Sequence, residues 1–245
     1  MACALEEIFG DLSAQVPDGP PDDPEFIFHT GVLPAPPSTL STDRILLYKA
    51  HHDYNGWYKA DALWMYLTPR KCRELGLLLL AAGFHGPVED TAILLTHPDS
   101  AIKRIVIRAS GVRLDDPPVG LSMVPFALRY YPSETRRHPR KYDCDASELP
   151  VFALSNAEDC VGPSDEEWAK RDTIWVEMSA GMFRFAELLL NAGCSWNEVR
   201  GYALERDAGY RSVGPMSAEL QIFLPGSDGW LFQNEDVPSS IRDDS

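Results

Sequence analysis

No apolar run in this 245-residue sequence approaches the ~18 residues of a membrane-spanning helix. The opening Met1 to Phe9 carries Glu6 and Glu7 where a secretory leader would carry cations, so export is not indicated. No CxxC pair occurs. The five cysteines (Cys3, Cys72, Cys144, Cys160 and Cys194) are odd in number and irregular in spacing, which predicts reduced thiols in a cytoplasmic protein. Catalytic signatures are missing as well. There is no GxSxG elbow, no P-loop, no GxGxxG after a strand, no HExxH and no DxDxDG calcium loop. Ser227, between Gly226 and Gly229, lacks the spacing of an elbow and reads as part of a turn. Cys144 and Cys160 stand beside acids (Asp143 and Asp145; Glu158 and Asp159), which raise a thiol pKa and disfavour a nucleophile. These absences turn the reading from enzyme towards binding protein, and no motif calls for a cofactor.

Cations are scarce at both ends. Residues 1 to 40 hold seven acids and no Lys or Arg, and residues 142 to 245 hold twenty acids against seven bases. Residues 100 to 141 reverse the sign, with nine bases against three acids, within a net charge of −15. A basic middle between acidic ends implies either a self-complementary surface or an acidic face that steers a basic protein partner. Phosphate repulsion makes DNA an unfavoured ligand.

What is present organises into elements. Pro69 to Gly83 reads as a helix, with Thr68 as N-cap, a proline at the first helical position and Gly83 as the stop. Beyond Glu74 it is apolar all round, so burial on every side is expected. A shift of 110 residues lays Leu78, Leu79, Leu80, Ala82 and Gly83 on Leu188, Leu189, Leu190, Ala192 and Gly193. The later helix carries a polar stripe of Arg184, Glu187 and Asn191, and a surface position follows. Arg44 to Tyr54 and Trp57 to Leu67 read as a hairpin turning at Asn55-Gly56, against a competing helix over Lys59 to Tyr66. Thr91 to His97 and Lys103 to Ala109 form a second hairpin. Later strands are expected at Pro125 to Tyr131, Val151 to Leu154, Ile174 to Met178, Gly201 to Asp207 and Ala218 to Leu224. The expected architecture is α+β: two similar halves, each an antiparallel sheet packed on a leucine-rich helix. Residues 1–40 form an acidic Pro-rich tail with a short amphipathic turn near Leu5 to Leu12, 41–113 the first β-β-α-β-β half, 114–233 the second half, and 234–245 a disordered C-terminus.

The run IWVEMSAGMFRFAELLLNAG, a short aromatic-aliphatic strand, a Ser cap and a helix ending in Leu-Leu-x-x-Gly, resembles the final strand and helix of SUKH-superfamily proteins. That family includes bacterial immunity proteins and viral relatives with tandem copies. The resemblance implies a non-catalytic binder of another protein.

Three constellations could carry function. Asp165, Glu166 and Glu167 offer acids to a basic partner, and they also fit a capping box with Ser164. Arg136, Arg137, Arg140 and Lys141 place four fixed charges in six residues, suited to a phosphate, an RNA or an acidic partner, or to neutralising an acidic neighbour. His51 and Asp53 share one face of a strand and could start a metal-dependent hydrolase, although two ligands do not complete a site; the expected register sets them opposite Ala60 and Tyr58. Most of the six tryptophans are core candidates, with Trp57 and Trp230 as the exposed ones marking a contact surface. The favoured function is a cytoplasmic, non-catalytic binder of the immunity or inhibitor kind that captures a basic protein.

Overall fold

A computed structural model describes residues 2–16, 27–30, 33–53, 59–85, 89–108, 126–129, 152–154, 172–177, 185–186, 188–190, 192–193, 201–204 and 218–225, some of the strand residues by their backbone alone. The chain is α+β, with mixed sheets. Strand β1 (Cys3–Ala4) leads into helix α1 (Leu5–Ser13), which is the amphipathic segment expected near Leu5 to Leu12. Leu5 and Phe9, four apart on one side, are fully buried. Glu6 and Glu7 sit at the positive end of the helix, and the Glu7 carboxylate accepts the Ala4 N–H at 3.2 Å.

Next come β2 (Ile27–Thr30), β3 (Thr39–Thr42), β4 (Ile45–Asp53) and β5 (Lys59–Leu67). β4 and β5 form the expected hairpin, not the competing helix, and pair antiparallel along nine residues. The alternation decides this. Leu63, Met65 and Leu67 of β5 join the main core, whereas Trp64 and Tyr66 lie on the opposite face.

Helix α2 (Pro69–His85) begins as its sequence predicts: the Lys71 N–H donates to Thr68 Oγ1 at 3.3 Å, and the Cys72 N–H to the Thr68 carbonyl at 3.0 Å. Every residue from Lys71 to Gly83 is buried. The expected stop at Gly83 is overrun by one short step to His85, whose Nε2 lies 2.7 Å from the Leu33 carbonyl oxygen. The helix thus runs two residues past Gly83 and ends directly before Gly86-Pro87 in the sequence.

β6 (Thr91–Leu95) and β7 (Arg104–Arg108) follow as an antiparallel pair, then β8 (Phe126–Arg129), β9 (Phe152–Leu154), β10 (Thr173–Glu177), β11 (Gly201–Leu204) and β12 (Glu219–Phe223). Helical residues 185–186, 188–190 and 192–193 fall within the later leucine-rich stretch. Phe185, Ala186, Leu189, Leu190 and Ala192 are buried there and Leu188 is half-buried.

Pairing departs from one antiparallel sheet per half. The four-stranded sheet runs β11-β12-β5-β4, and the six-stranded sheet runs β1-β3-β6-β7-β10-β9. β5 pairs with β12 in parallel, as β7 does with β10. The hairpins on either side of α2 therefore belong to different sheets. The physical reason is the helix itself: buried on all sides, it needs apolar cover on more than one face, and one sheet supplies only one. β2 pairs with β8 as a separate two-stranded ladder.

The core lies between the two larger sheets. A void of about 20 Å³ there is lined by Leu63, Met65 and Leu220 of one sheet, Ile105, Ile174 and Val176 of the other, and Leu75 and Phe185 of the helices. The helices meet closely. A Cβ on Gly76 would come within 2.8 Å of Leu190 Cγ and 2.9 Å of the Ala186 carbonyl oxygen, so only glycine permits this approach. Gly193 is equally confined, against Arg73 Cγ and the Pro69 carbonyl oxygen.

The β6–β7 connection closes an edge. Ala101 and Ile102 donate their N–H groups to the Leu47 carbonyl at 2.9 and 3.2 Å, and the Leu47 N–H donates to Ser100 Oγ at 3.2 Å. These bonds satisfy the outward N–H and carbonyl of Leu47 at the edge of the sheet.

Candidate functional site

Three features of the described residues carry unusual chemistry: a buried charge cluster between the helices, and the outward faces of the two larger sheets.

The charge cluster joins α1 to α2. Lys71 Nζ lies 2.5 Å from Glu74 Oε2 and 3.1 Å from Glu6 Oε2, while Arg70 Nε donates to Glu74 Oε1 at 3.1 Å. Lys71 and Glu74 are fully buried. Two cations open α2 where its dipole disfavours them, and the two carboxylates offset that placement. Burial pushes the Glu6 carboxyl up, but its backbone hydrogen bond, the hydrogen bond from Lys71 and the charges of Lys71 and Arg44 outweigh it, so its pKa lies below the usual value. The cluster fixes a helix pair; each ion in it already has its counter-ion.

The outward face of the four-stranded sheet is aromatic. Tyr66 stacks on Phe223 with centroids 4.7 Å apart, Tyr48 meets Tyr66 edge-on at 5.7 Å, and Trp64 meets Phe223 edge-on at 6.1 Å. Leu46 completes the cluster. Burial, and secondarily Tyr48, pushes the Tyr66 hydroxyl up to about 12; burial and then Asp99 raise that of Tyr48. The Trp64 Nε1 donor is buried and has no hydrogen-bond partner among the described residues.

The outward face of the six-stranded sheet bears Arg104 and Arg108 on β7, and Glu177 of β10 is registered with Arg108. The Arg108 guanidinium lies over the Trp175 ring, 4.6 Å from its centroid. Arg104 is exposed, its Cα registered between Leu94 of β6 and Thr173 of β10. Val106 and Ala92 form the adjoining row with Trp175. Trp64 and Trp175 are both half-buried, and Trp64 packs against the small cluster of Leu46, Tyr66 and Phe223.

Protein-family models, curated proteins and solved structures give no match to the chain.

The residues singled out in the sequence divide as follows. Asp165, Glu166, Glu167, Arg136, Arg137, Arg140, Lys141, Trp57 and Trp230 lie outside the described residues. His51 and Asp53 fall on β4, but the register differs by one from expectation: His51 is opposite Asp61, and Asp53 is opposite Lys59. The connection is one residue longer than a two-residue Asn-Gly turn would make it. Among the described residues no group of three His, Cys, Asp or Glu side chains could hold a metal ion. Neither Cys3 nor Cys72 is in a disulfide. No helix among the described residues is long and apolar enough to cross a membrane.

Sequence reasoning missed the Trp64 and Trp175 faces. A shift of 111, one more than the helices require, lays Asp61, Leu63, Trp64, Met65, Leu67 and Thr68 on Asp172, Ile174, Trp175, Val176, Met178 and Ser179. That alignment was the signal available.

Proposed function

We propose that the chain is a non-catalytic, cytoplasmic protein-binding module of the immunity or inhibitor kind, built from two similar halves, and that its acidic surface captures a basic protein partner. The observation that carries this reading is the −15 net charge. Lys71 is spent on Glu74 and Glu6, and Arg73 donates to the Gly193 carbonyl at 3.1 Å, so both cations are withdrawn from the surface. A strongly acidic exterior accelerates encounter with a basic partner and repels acidic competitors.

Several facts support the two similar halves. Gly76 and Ala186 are 110 apart, and they are the residues at which the two helices come together. The void is lined by Leu63 with Ile174 and Met65 with Val176, pairs that are each 111 apart. The strand before each helix also makes the same kind of contact, a parallel ladder with the closing strand of the other half. Two β-β-α-β-β units exchanging partners around an approximate two-fold axis would produce this pattern. The SUKH-like motif in IWVEMSAGMFRFAELLLNAG, and tandem copies in that superfamily, support the same reading.

The test is capture from the lysate of the native host, with immobilised full-length protein washed at low and then high salt and the bound material identified by mass spectrometry. The reading expects a basic protein, retained at low salt and released at high salt. Recovery of acidic proteins alone, or of nothing by a demonstrably folded bait, overturns it.

A further inference from the structure

We propose that His97 is a pH-sensitive latch: when neutral it holds the loop 96–103 closed on the edge of β4, and when protonated it releases that edge. This rests on none of the residues invoked for capture of a basic partner, so either can fail alone.

The loop ties the two larger sheets together through backbone groups. At one end the Thr96 N–H donates to the Thr42 carbonyl of β3, and at the other the Lys103 carbonyl accepts the Leu95 N–H, both at 2.9 Å. Between them the loop turns onto β4, where Ser100 makes the central contact. Its Oγ accepts the Leu47 N–H at 3.2 Å and donates to the Ile102 carbonyl at 2.6 Å. The turn at 97–100 sets where Ser100 stands: the Ser100 N–H donates to the His97 carbonyl at 3.2 Å, and Pro98 occupies the second position with its φ fixed.

The imidazole completes this turn. The Asp99 N–H donates to His97 Nδ1 at 3.2 Å, and the histidine is buried, so water has little access to replace that bond. A neutral ring that accepts at Nδ1 carries its proton on Nε2. A second proton would occupy the lone pair that the Asp99 N–H uses, and two donors would then face each other. The protonated ring has one acceptor close by, the Asp99 carboxylate, whose Oδ2 is 3.9 Å from Nδ1 and too far for a hydrogen bond. Closing that distance moves Asp99 as surely as repulsion does, and Ser100 follows it in the chain.

The other charged and titratable side chains at this loop, among the described residues, are Tyr48, Lys103 and Asp172. Burial and then the charge of Asp99 raise the Tyr48 hydroxyl, so it stays neutral while an imidazole titrates. Lys103 Nζ donates to the Pro98 carbonyl at 3.3 Å, and Asp172 Oδ1 accepts the Thr173 hydroxyl at 2.9 Å. Histidine is the side chain that ordinarily changes charge between pH 5 and 8. The bond that protonation removes is present above that range and lost as pH falls through it, well above the acid range in which Glu6 titrates.

The experiment follows hydrogen exchange of the Leu47 amide in the full chain at pH 5 and pH 8, corrected for the intrinsic dependence of exchange on pH. Exchange should be about fivefold faster at pH 5, the effect of one ordinary hydrogen bond. In wild type the His97 ring and the Asp99 amide should titrate with one common midpoint by NMR. His97→Asn should abolish the pH dependence, because an asparagine oxygen accepts a backbone N–H two residues on and carries no titrating proton. Equal exchange at the two pH values, slower exchange at pH 5, the same pH dependence in His97→Asn, or a ring that titrates without moving the Asp99 amide each overturns the proposal.

Discussion

Replacing Gly76 with alanine should destabilise the protein, against the intrinsic preference of a helix. In an exposed helix interior alanine is favoured over glycine by about 1 kcal/mol. Here the added methyl would lie 2.8 Å from Leu190 Cγ and 2.9 Å from the Ala186 carbonyl oxygen. Leu190 is fully buried and the carbonyl belongs to a helix backbone, so the two helices must shift apart. Overpacking of this kind costs about 1–3 kcal/mol and disturbs more than one side chain. A net loss of about 1 kcal/mol, and at most about 2, follows, equivalent to a fall in melting temperature of roughly 2–4 °C, and at most about 8 °C, for a chain of this size. Urea unfolding of wild type and Gly76→Ala measures it as a shift of midpoint at constant slope. Equal or greater stability in Gly76→Ala would refute the close approach of the helices.

Four further outcomes are expected. Lys71→Met leaves buried Glu74 with Arg70 alone and should cost about 3 kcal/mol, whereas Lys71→Met combined with Glu74→Leu should recover most of that loss in the same denaturation assay. Because the Glu6 carboxyl is held below its ordinary pKa in the folded chain, its stabilisation is present above the unfolded pKa near 4.5 and is lost as pH falls through the lower folded value. Glu6→Gln should therefore flatten the acid limb of stability against pH, and an unchanged limb contradicts the Glu6–Lys71 contact. Tyr66 should ionise near pH 12, seen as the difference between ultraviolet titrations of wild type and Tyr66→Phe; its contribution is present below about pH 10 and is lost as pH rises through the folded value. Ser100→Ala removes the acceptor of the Leu47 N–H and should cost about 1–3 kcal/mol, with faster hydrogen exchange at that amide.

Local signals made much of the architecture legible. Thr68 and Pro69 announce the start of α2, its unbroken apolar run announces burial on all sides, and alternation along β5 separates strand from helix. The closing strands are found where Gly201 to Asp207 and Ala218 to Leu224 suggest them, with shorter bounds. What local pattern cannot carry is partner choice. The parallel ladder of β5 with β12 joins residues more than 150 positions apart and has no turn to mark it. β1 has only two residues and β3 is a short polar run after prolines; they become strands by parallel pairing, β1 with β3 and β3 with β6. The one-residue slip between the 110 and 111 shifts hid the matching tryptophans, because the helices align at one offset and the strands at the next. The slip at the β4–β5 turn likewise put Asp61, not Ala60, opposite His51. The acidic and basic clusters at 165–167 and 136–141 were visible as composition, and composition assigns a sign of charge without a surface.

The central claim is that an acidic surface captures a basic protein, and the dependence of affinity on salt tests it most directly. With the partner recovered from the host, titration calorimetry across an ionic-strength series should show the dissociation constant weakening steadily as salt rises, through faster encounter at low salt and loss of steering at high salt. A dissociation constant that stays the same from low to high salt would contradict the account.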